Sequence, residues 1–190
     1  MKLWTDETLE LPTERLMVRL LRRGDGEQFA QYYTKNHQFL KPWSPSFRPE
    51  MFSGKVWEQS IPAIIEQFRK GTSVRLGIFL QNDLIGVSNI VDLKGSPSYS
   101  GLLGYTLSSE HQGQGYMKEA LTRVVRYLFE TRNLHRIYAN HMPSNERSAA
   151  VLKHLGFLTE GYSPDHLLID GKWEDHVLTA LTNKNWVSPD

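Results

Sequence analysis

The sequence predicts one domain of the mixed α/β class, in which strands and helices build a common sheet. Three observations lead to this prediction. An apolar run at 101–107 has the length of a buried strand. After a turn with two glycines, apolar residues recur at helical spacing from Met117 to Phe129. Two further apolar runs, at 74–80 and 84–92, are separated by a short polar segment that is typical of a hairpin.

The N-terminal half is predicted to begin with a strand and to continue with two helices. Residues 15–21 have the alternation of a strand, and Asp25 is a suitable N-cap for a helix that runs to about Lys35. A second helix is predicted over 56–70. We expect it to be interrupted near Pro62, because proline has no amide hydrogen to donate within a helix.

The C-terminal half is predicted to alternate strands with helices. After the helix that follows the glycine turn, residues 135–140 have the pattern of a strand. A helix is expected after Asn145, and two closing strands are expected around Phe157 and over 176–181. Neither an internal repeat nor a low-complexity linker is visible, so residues 1–190 are predicted to form a single domain.

Composition excludes several classes of function. The chain has 190 residues and a formal net charge of +1, which gives no bulk charge for binding nucleic acid or an anionic membrane. It has no cysteine, which excludes disulfides, cysteine nucleophiles and thiolate metal sites. The 7 histidines lack the spacing of a metal motif. Residues 1–7 include two acidic side chains and no long apolar run, so we expect no signal peptide and a cytoplasmic protein without a membrane span.

The turn between the predicted strand at 101–107 and the following helix has the chemistry of an anion site. Gly113 and Gly115 let the backbone approach an anion without an intervening Cβ, and the helix N-terminus offers free amide groups. The segment lacks the Gly-Lys-Ser/Thr ending of a nucleoside triphosphate loop and the third glycine of the dinucleotide fingerprint. The spacing therefore points to another pyrophosphate, that of coenzyme A, although a tight turn without a ligand is the simpler interpretation.

At this turn the sequence resembles a known family. The segment looks like the acyl-CoA loop of the GCN5-related (GNAT) acetyltransferases, Q/R-x-x-G-x-G/A, and it departs from that pattern only in its last residue, which is larger than the family's small one. The order N-x-x-S, L-G-F, E-G further along the chain resembles the ribosomal-protein alanine N-acetyltransferases of the RimJ/RimL type, and residues 168–178 are most similar to the RimJ members. The loop residues are Gln112, Gly113, Gln114, Gly115, Tyr116 and Met117.

The resemblance implies a fold, a second substrate and a set of site residues. The fold is a GNAT domain whose twisted mixed sheet has about six to seven strands, and the acetyl donor is acetyl-CoA, with no metal. The strand is expected to separate from its neighbour at Tyr105 and Leu107, which frees the backbone N–H of Leu107 to bind the acetyl oxygen. Asn145 is expected to bind the pantetheine arm, and Ser148 to protonate or position the sulfur. From the residues alone, Asn145 is equally a helix cap and Ser148 an ordinary first-turn residue.

No general base is evident in the sequence. The strand before the loop carries no carboxylate, and four side chains are candidates: Asp92, Glu160, Asp165 and His166. An α-amine has a pKa near 7.7–8.0, so roughly a tenth of it is neutral at pH 7, whereas a lysine is neutral in about one molecule in two thousand. A water relay would therefore suffice for an N-terminal amine, and the missing base favours that acceptor.

The irregular segment at 39–49 and the segment at 173–176 have two interpretations each. Three prolines prevent regular structure in the first, and we expect Trp43 and Phe47 to line the acceptor groove, unless the loop only folds back on the core. The second is either a turn between closing strands or part of the acceptor wall.

The resemblance implies direct acetyl transfer to the N-terminal alanine of a ribosomal protein, with ribosome association as a further expectation. Since the chain has no cysteine, no acyl-enzyme on a thiol is expected. Two alternatives remain open at this point. One is an acetyltransferase for a small-molecule amine, such as an antibiotic or an amino acid. The other is a ribosome-assembly protein whose acetylation is incidental.

Overall fold

Eight strands form one sheet in a computed structural model that describes residues 8–189. Residues 1–7, on which the expectation of no signal peptide depends, lie outside the described residues. The spatial order is β1-β2-β3-β4-β5-β6-β8-β7. The strands are β1 (Glu10–Pro12), β2 (Leu16–Leu20), β3 (Val74–Leu80), β4 (Asp83–Lys94), β5 (Ser100–Leu107), β6 (Arg136–His141), β7 (Leu158–Ile169) and β8 (Lys172–Thr182).

Four α-helices pack on this sheet, within the part of the chain that the structure describes. Short 3-10 turns at Lys41–Trp43, Pro49–Phe52 and Ser109–His111 lie between the longer elements. The helices are α1 (Gly26–Leu40), α2 (Gly54–Arg69), α3 (Tyr116–Glu130) and α4 (Glu146–His154).

The mixed α/β class is confirmed, and the sheet is slightly larger than the expected six to seven strands. The additional strand is β1, which has only 3 residues and pairs antiparallel with β2. Three residues are too few to show the alternation that identifies a strand in a sequence. All neighbours in the sheet are antiparallel except β5 and β6.

The start of α1 differs from the prediction in the role of Asp25. The residue does precede the helix, but its side chain makes no capping hydrogen bond. Its carboxylate instead accepts two hydrogen bonds from the guanidinium of Arg19, at 2.7 and 2.8 Å, and one from the backbone N–H of Arg22. Because the ion pair is buried, the bidentate geometry is what makes the carboxylate tolerable there.

Helix α2 is not interrupted at Pro62, so the interruption that the sequence predicted there is wrong. It is continuous from Gly54 to Arg69, with the proline inside it. The proline lacks one hydrogen bond to the preceding turn, but Ile61, Ile64 and Phe68 are buried along one side of the same helix. Burial of that apolar side stabilises the helix by more than the loss of one backbone hydrogen bond costs.

The helices lie on opposite faces of the sheet. Helix α1 covers the face to which Thr106 of β5 points, since the Tyr32 hydroxyl of α1 donates to the Thr106 hydroxyl at 2.9 Å. Neighbouring residues of a strand point to opposite faces. Tyr105 accordingly points to the other face, where its hydroxyl meets Ser148 of α4. The two faces of β5 are therefore in contact with different helices, α1 on one side and α4 on the other.

Strands β5 and β6 separate along their length. They are parallel neighbours, and their pairing covers only Ser100–Leu102 of β5 against Arg136–Tyr138 of β6. Beyond Leu102, β5 continues to pair with β4 on its other side as far as Leu107. The sheet thus has an open seam between the second half of β5 and the end of β6, which passes from one face to the other.

Candidate active site

The loop between β5 and α3 has the backbone of an anion site. Gly113 and Gly115 have φ of 75° and 80°, a region that side chains rarely adopt. Nothing lies within 4 Å of the position that a Cβ on Gly113 would take. No side chain caps the N-terminus of α3, so its first amide groups are directed at the loop. A pyrophosphate fits a cradle of this kind.

The other predicted loop residues support this backbone rather than extend into the cradle. The Gln112 side chain donates to the carbonyls of Leu107 and Ser108, at 3.0 and 3.1 Å, which fixes the loop to the end of β5. The Gln114 side chain donates to the Glu110 carbonyl at 3.3 Å. Met117, the residue that departs from the GNAT pattern, is buried in the core. Its larger side chain is accommodated at the first turn of α3.

A group that sequence analysis missed holds α3 against the β1–β2 turn. Glu119 of α3 accepts hydrogen bonds from the Thr13 hydroxyl at 2.6 Å and from the Arg15 N–H at 2.8 Å, and it forms an ion pair with the Arg15 side chain at 2.7 Å. Burial raises the pKa of Glu119, but these hydrogen bonds and the charge of Arg15 outweigh it and leave the pKa below its usual value.

Arg15 also connects this ion pair to the loop itself. Its guanidinium donates to the Gln114 carbonyl at 3.1 Å and lies over the Tyr116 ring, 4.4 Å from the centroid. Thr13 and Arg15 lie more than 100 residues from Glu119 in the chain, and nothing in the sequence indicated that these side chains meet. Together they fix the orientation of the cradle.

The backbone N–H of Leu107 points into the seam. The Ser108 N–H donates to the Ile85 carbonyl of β4 at 2.8 Å, and successive N–H groups of a strand point to opposite sides. The N–H groups of Leu107 and Tyr105 therefore point away from β4, toward β6. Because β6 has separated there, these two donors face the seam instead of a neighbouring strand.

A cavity of about 310 Å³ occupies the seam and extends to both faces of the sheet. One end is at the loop and α4, and the other is at the segment after α1 and the β7–β8 hairpin. It is lined by most of the residues that the sequence had assigned to the site, which are Tyr105, Leu107, Gln112, Met117, Asn145 and Ser148. Gly113, Gln114 and Gly115 lie in the adjoining loop, and Tyr116 is the first residue of α3.

Ser148 has a partner that the sequence did not indicate. The hydroxyl groups of Ser148 and Tyr105 lie 2.8 Å apart, and the Tyr105 hydroxyl also lies 3.3 Å from the Ser148 carbonyl, to which it can only donate. Burial raises the pKa of Tyr105 to about 12, so its hydroxyl stays protonated. The Ser148 hydroxyl is thus in contact with a protonated tyrosine from the facing strand β5.

Asn145 caps α4, and it also lines the cavity. Its side-chain oxygen accepts from the Ser148 N–H at 3.1 Å. The cap uses the carbonyl end of the amide, and the NH₂ end remains for a ligand in the cavity. The two interpretations of this residue are therefore compatible.

None of the four candidate bases lines the cavity. Glu160 is bound to Arg136, and Asp92 and Asp165 are exposed with φ of 50° and 46°. Both ring nitrogens of His166 are engaged, with the Asn140 amide at 3.2 Å and the Ser163 hydroxyl at 3.1 Å.

The segment after α1 contributes only part of what was expected of it. Trp43 lines the cavity together with its neighbours Ser44 and Pro45. Phe47 does not, because its ring packs against Tyr33 and His37 of α1, with centroids 6.0 and 5.0 Å away. An aromatic residue in an irregular loop has no periodicity from which its direction can be predicted.

No group of three metal-ligating side chains is present within residues 8–189. No helix in that range is long and apolar enough to cross a membrane.

Comparison with known proteins agrees with this geometry. The acetyltransferase (GNAT) domain family matches residues 15–158. The ribosomal protein uS5 alanine N-acetyltransferase of Escherichia coli (strain K12) is 42% identical, over 94% of this chain and 93% of the relative.

Two solved structures are similar over nearly the whole chain. The ribosomal-protein-S5-alanine acetyltransferase of Vibrio fischeri superposes with a TM-score of 0.91 at 34% identity, covering 95% of this chain and 100% of that one. Mycobacterium smegmatis RimJ, solved with CoA-disulfide, superposes with a TM-score of 0.84 at 27% identity, covering 92% of this chain and 86% of that one. Since sequence, fold and seam agree, the chain belongs to the GNAT family and is an acetyl-CoA-dependent N-acetyltransferase.

Proposed function

We propose that this enzyme acetylates the α-amine of the N-terminal alanine of a ribosomal protein. The observation that carries the proposal is the 42% identity, over almost the full length of both chains, to an enzyme that acts on the alanine of uS5. The site is consistent with an α-amine, because among the residues described no carboxylate or lysine lines the cavity. An ε-amine, with a pKa near 10.4, would need a much stronger base.

Different groups of the protein would bind different parts of acetyl-CoA. The amides of the loop and of the α3 N-terminus would hold the pyrophosphate, and the seam between β5 and β6 would take the pantetheine arm. The Asn145 amide NH₂ would bind that arm beside the α4 N-terminus. The Leu107 N–H would donate to the acetyl oxygen as negative charge develops on it, which lowers the barrier to attack on the carbonyl carbon.

Ser148 and Tyr105 would stabilise the departing sulfur. With the Tyr105 hydroxyl donating to Ser148, the Ser148 hydroxyl is free to donate to the thiolate. Full proton transfer from a tyrosine with a pKa of about 12 to a thiolate near 8.5 would be uphill by about 5 kcal/mol. The pair therefore acts as a hydrogen-bond donor, and the sulfur takes its proton from solvent.

Ribosomal protein uS5 with an unmodified N-terminal alanine is the acceptor that tests the proposal. Incubation with the enzyme and acetyl-CoA should add one acetyl group, which mass spectrometry maps to the α-amine. A sample without enzyme and one with a chemically blocked N-terminus are the controls. We expect the enzyme and its ribosomal acceptor to meet in the cytoplasm.

The two alternatives give different results in the same experiment. If thioester is consumed only with small amines, the acceptor is a small molecule and the ribosomal assignment falls. If the enzyme binds acetyl-CoA but acetylates neither, while an inactive variant still supports ribosome assembly, the protein is an assembly factor. Acetylation of internal lysines in place of the N-terminus would contradict the argument from amine pKa.

A further inference from the structure

We infer that His176 takes the proton from the acceptor amine, through its Nε2 atom. This inference deepens the proposed function and depends on it for the choice of acceptor, although any α-amine would require the same proton transfer. His176 lies on β8, is 5% exposed and lines the cavity.

The composition of the cavity wall limits the choice of base. Four titratable side chains line the cavity within residues 8–189: Tyr105, His141, Arg147 and His176. An arginine does not release its proton in proteins, and the buried tyrosine keeps its own. Only the two histidines can accept a proton near neutral pH.

The hydrogen bonds of the two rings define their tautomers. The Nδ1 atom of His176 lies 3.0 Å from the Glu174 carbonyl, which can only accept, so Nδ1 carries the hydrogen. The Nε2 atom of the neutral ring then has the lone pair, and it has no hydrogen-bond partner among the described residues. His141 has the same tautomer, since its Nδ1 lies 2.9 Å from the Met142 carbonyl.

The strand register separates the two histidines by face. His141 lies opposite Val177, and directly paired residues point to the same face. His176 is the neighbour of Val177 and points to the other face, as Asn140 does beside His141.

The faces can be matched to the two halves of the reaction. Leu102 of β5 pairs with Tyr138 of β6, so these two side chains point to the same face. Thr106 is four positions after Leu102 and Asn140 is two positions after Tyr138, so both point to that face as well. His176 shares the face of Asn140, and α1 covers it. Tyr105 and Ser148 lie on the opposite face, at α4. A thioester in the seam would have its sulfur on the α4 side, so an amine that attacks from the opposite side arrives on the face of His176.

Acetyl transfer at this site forms one bond, breaks another and moves one proton. The amine lone pair forms the C–N bond, and the C–S bond breaks. One proton passes from nitrogen to His176 Nε2, and the sulfur leaves as a thiolate held by Ser148. Solvent then removes the proton from His176 and supplies one to the sulfur.

The surroundings of His176 keep the ring neutral. Burial lowers the pKa of His176, and the carbonyl of Glu174 raises it in part. His166 of β7 is 5.2 Å away, centroid to centroid, and the charge of His141, on the other face of the sheet, acts in the same direction; both lower the pKa of His176. The charged groups of β8, the β7–β8 turn and the segment after α1 have partners of their own. The Glu174 carboxylate is bound to Lys172. The Asp175 carboxylate accepts hydrogen bonds from the Asp165 N–H and the Tyr162 hydroxyl, and Lys41 pairs with Asp170.

The test compares three single variants with the wild type on a peptide that begins with alanine. His176→Gln should lower kcat on the order of 10²- to 10³-fold with little change in acetyl-CoA affinity. The deficit should shrink above pH 9, where hydroxide replaces the base. His154→Gln, on the exposed end of α4, should behave as the wild type. A loss in His141→Gln that exceeds the loss in His176→Gln would overturn the assignment.

A second measurement does not depend on the variant being folded. In the wild type, NMR titration of the His176 ring should give a pKa below about 6.5. The acid limb of kcat/KM should first follow the acceptor amine, near pH 7.7–8.0, and should become steeper below the ring pKa, where a second group must lose its proton. A limb that does not steepen at the ring pKa would contradict the inference. An inactive wild type with the alanine peptide would instead reject the proposed acceptor, and small amines would then test His176 separately.

Discussion

At the scale of single residues, the site divides between two faces of one sheet. The two hydroxyls that meet at 2.8 Å lie on the α4 side, and the buried imidazole lies on the α1 side. Because the side chains of a strand alternate between faces, residues that are neighbours in sequence can serve opposite halves of a reaction. Tyr105 and Thr106 are the clearest case, since one contacts α4 and the other α1.

Ser148→Ala should lower kcat by about 10- to 100-fold, which corresponds to the loss of one hydrogen bond to a charged group. Acetyl-CoA affinity should stay close to that of the wild type. Tyr105→Phe should have a similar effect, because its hydroxyl orients that of Ser148. The double variant should lose less than the product of the single effects, since the two hydroxyls act as one unit. Steady-state kinetics would show this, and wild-type kcat in Ser148→Ala would remove the serine from the mechanism.

At the scale of elements, the geometry of the junction between β5 and α3 depends on two features: the glycine backbone of the loop and the contacts that hold α3 to the β1–β2 turn. The left-handed conformation of Gly115 directs the first amides of α3 toward a common point. Glu119 then holds the first turn of that helix to Thr13 and Arg15. A cradle built from backbone must be positioned by contacts of this kind, because it has no side chain of its own to orient.

Gly115→Asp should abolish binding of acetyl-CoA, because it places a carboxylate among amides that face a pyrophosphate. Part of the effect would come from forcing a side chain into a left-handed conformation, which costs about 1–2 kcal/mol. Gly171→Asp is the matched control, since that glycine has φ of 82° and nothing within 4 Å of its added Cβ, but it lies in the β7–β8 turn. Calorimetry should find binding in the control only; binding in both variants would move the pyrophosphate elsewhere.

At the scale of the whole molecule, stability depends on a few carboxylates that join distant parts of the chain. Glu119 connects α3 to the N-terminal strands, and its pKa is below the usual value in the folded state. A carboxyl group with a lowered pKa stabilises the fold above its unfolded pKa of about 4.3, and this contribution is lost as the pH falls through the folded value.

Glu119→Gln should therefore destabilise the protein at pH 7 by about 1–3 kcal/mol, the cost of leaving partly buried donors without a charged acceptor. The difference from the wild type should diminish as the pH is lowered below about 4. Glu130→Gln, at the exposed end of the same helix, removes an i,i+4 ion pair and should change stability by less than about 0.5 kcal/mol. Urea unfolding between pH 3 and 7 would measure both, and equal effects would contradict a special role for Glu119.

Local signals in the sequence determined the fold class, the glycine loop, the hairpin at 74–92 and the cap at Asn145. Each of these depends on residues that lie close together in the chain, so that periodicity and turn chemistry are sufficient to find them. The continuity of α2 through Pro62 was not predictable in this way, because burial against α1 compensates for the proline.

Only the tertiary structure decided which distant side chains meet. The contacts between Glu119 and Arg15, between Tyr105 and Ser148, and between His176 and the cavity join residues that are separated in the chain and brought together by the sheet. The same holds for Phe47, whose direction was mistaken, and for the seam, which exists because β5 and β6 pair over three residues and then separate. Which distant elements become neighbours, and where two strands separate, is decided by packing across the whole sheet, and no local pattern in the sequence encodes it.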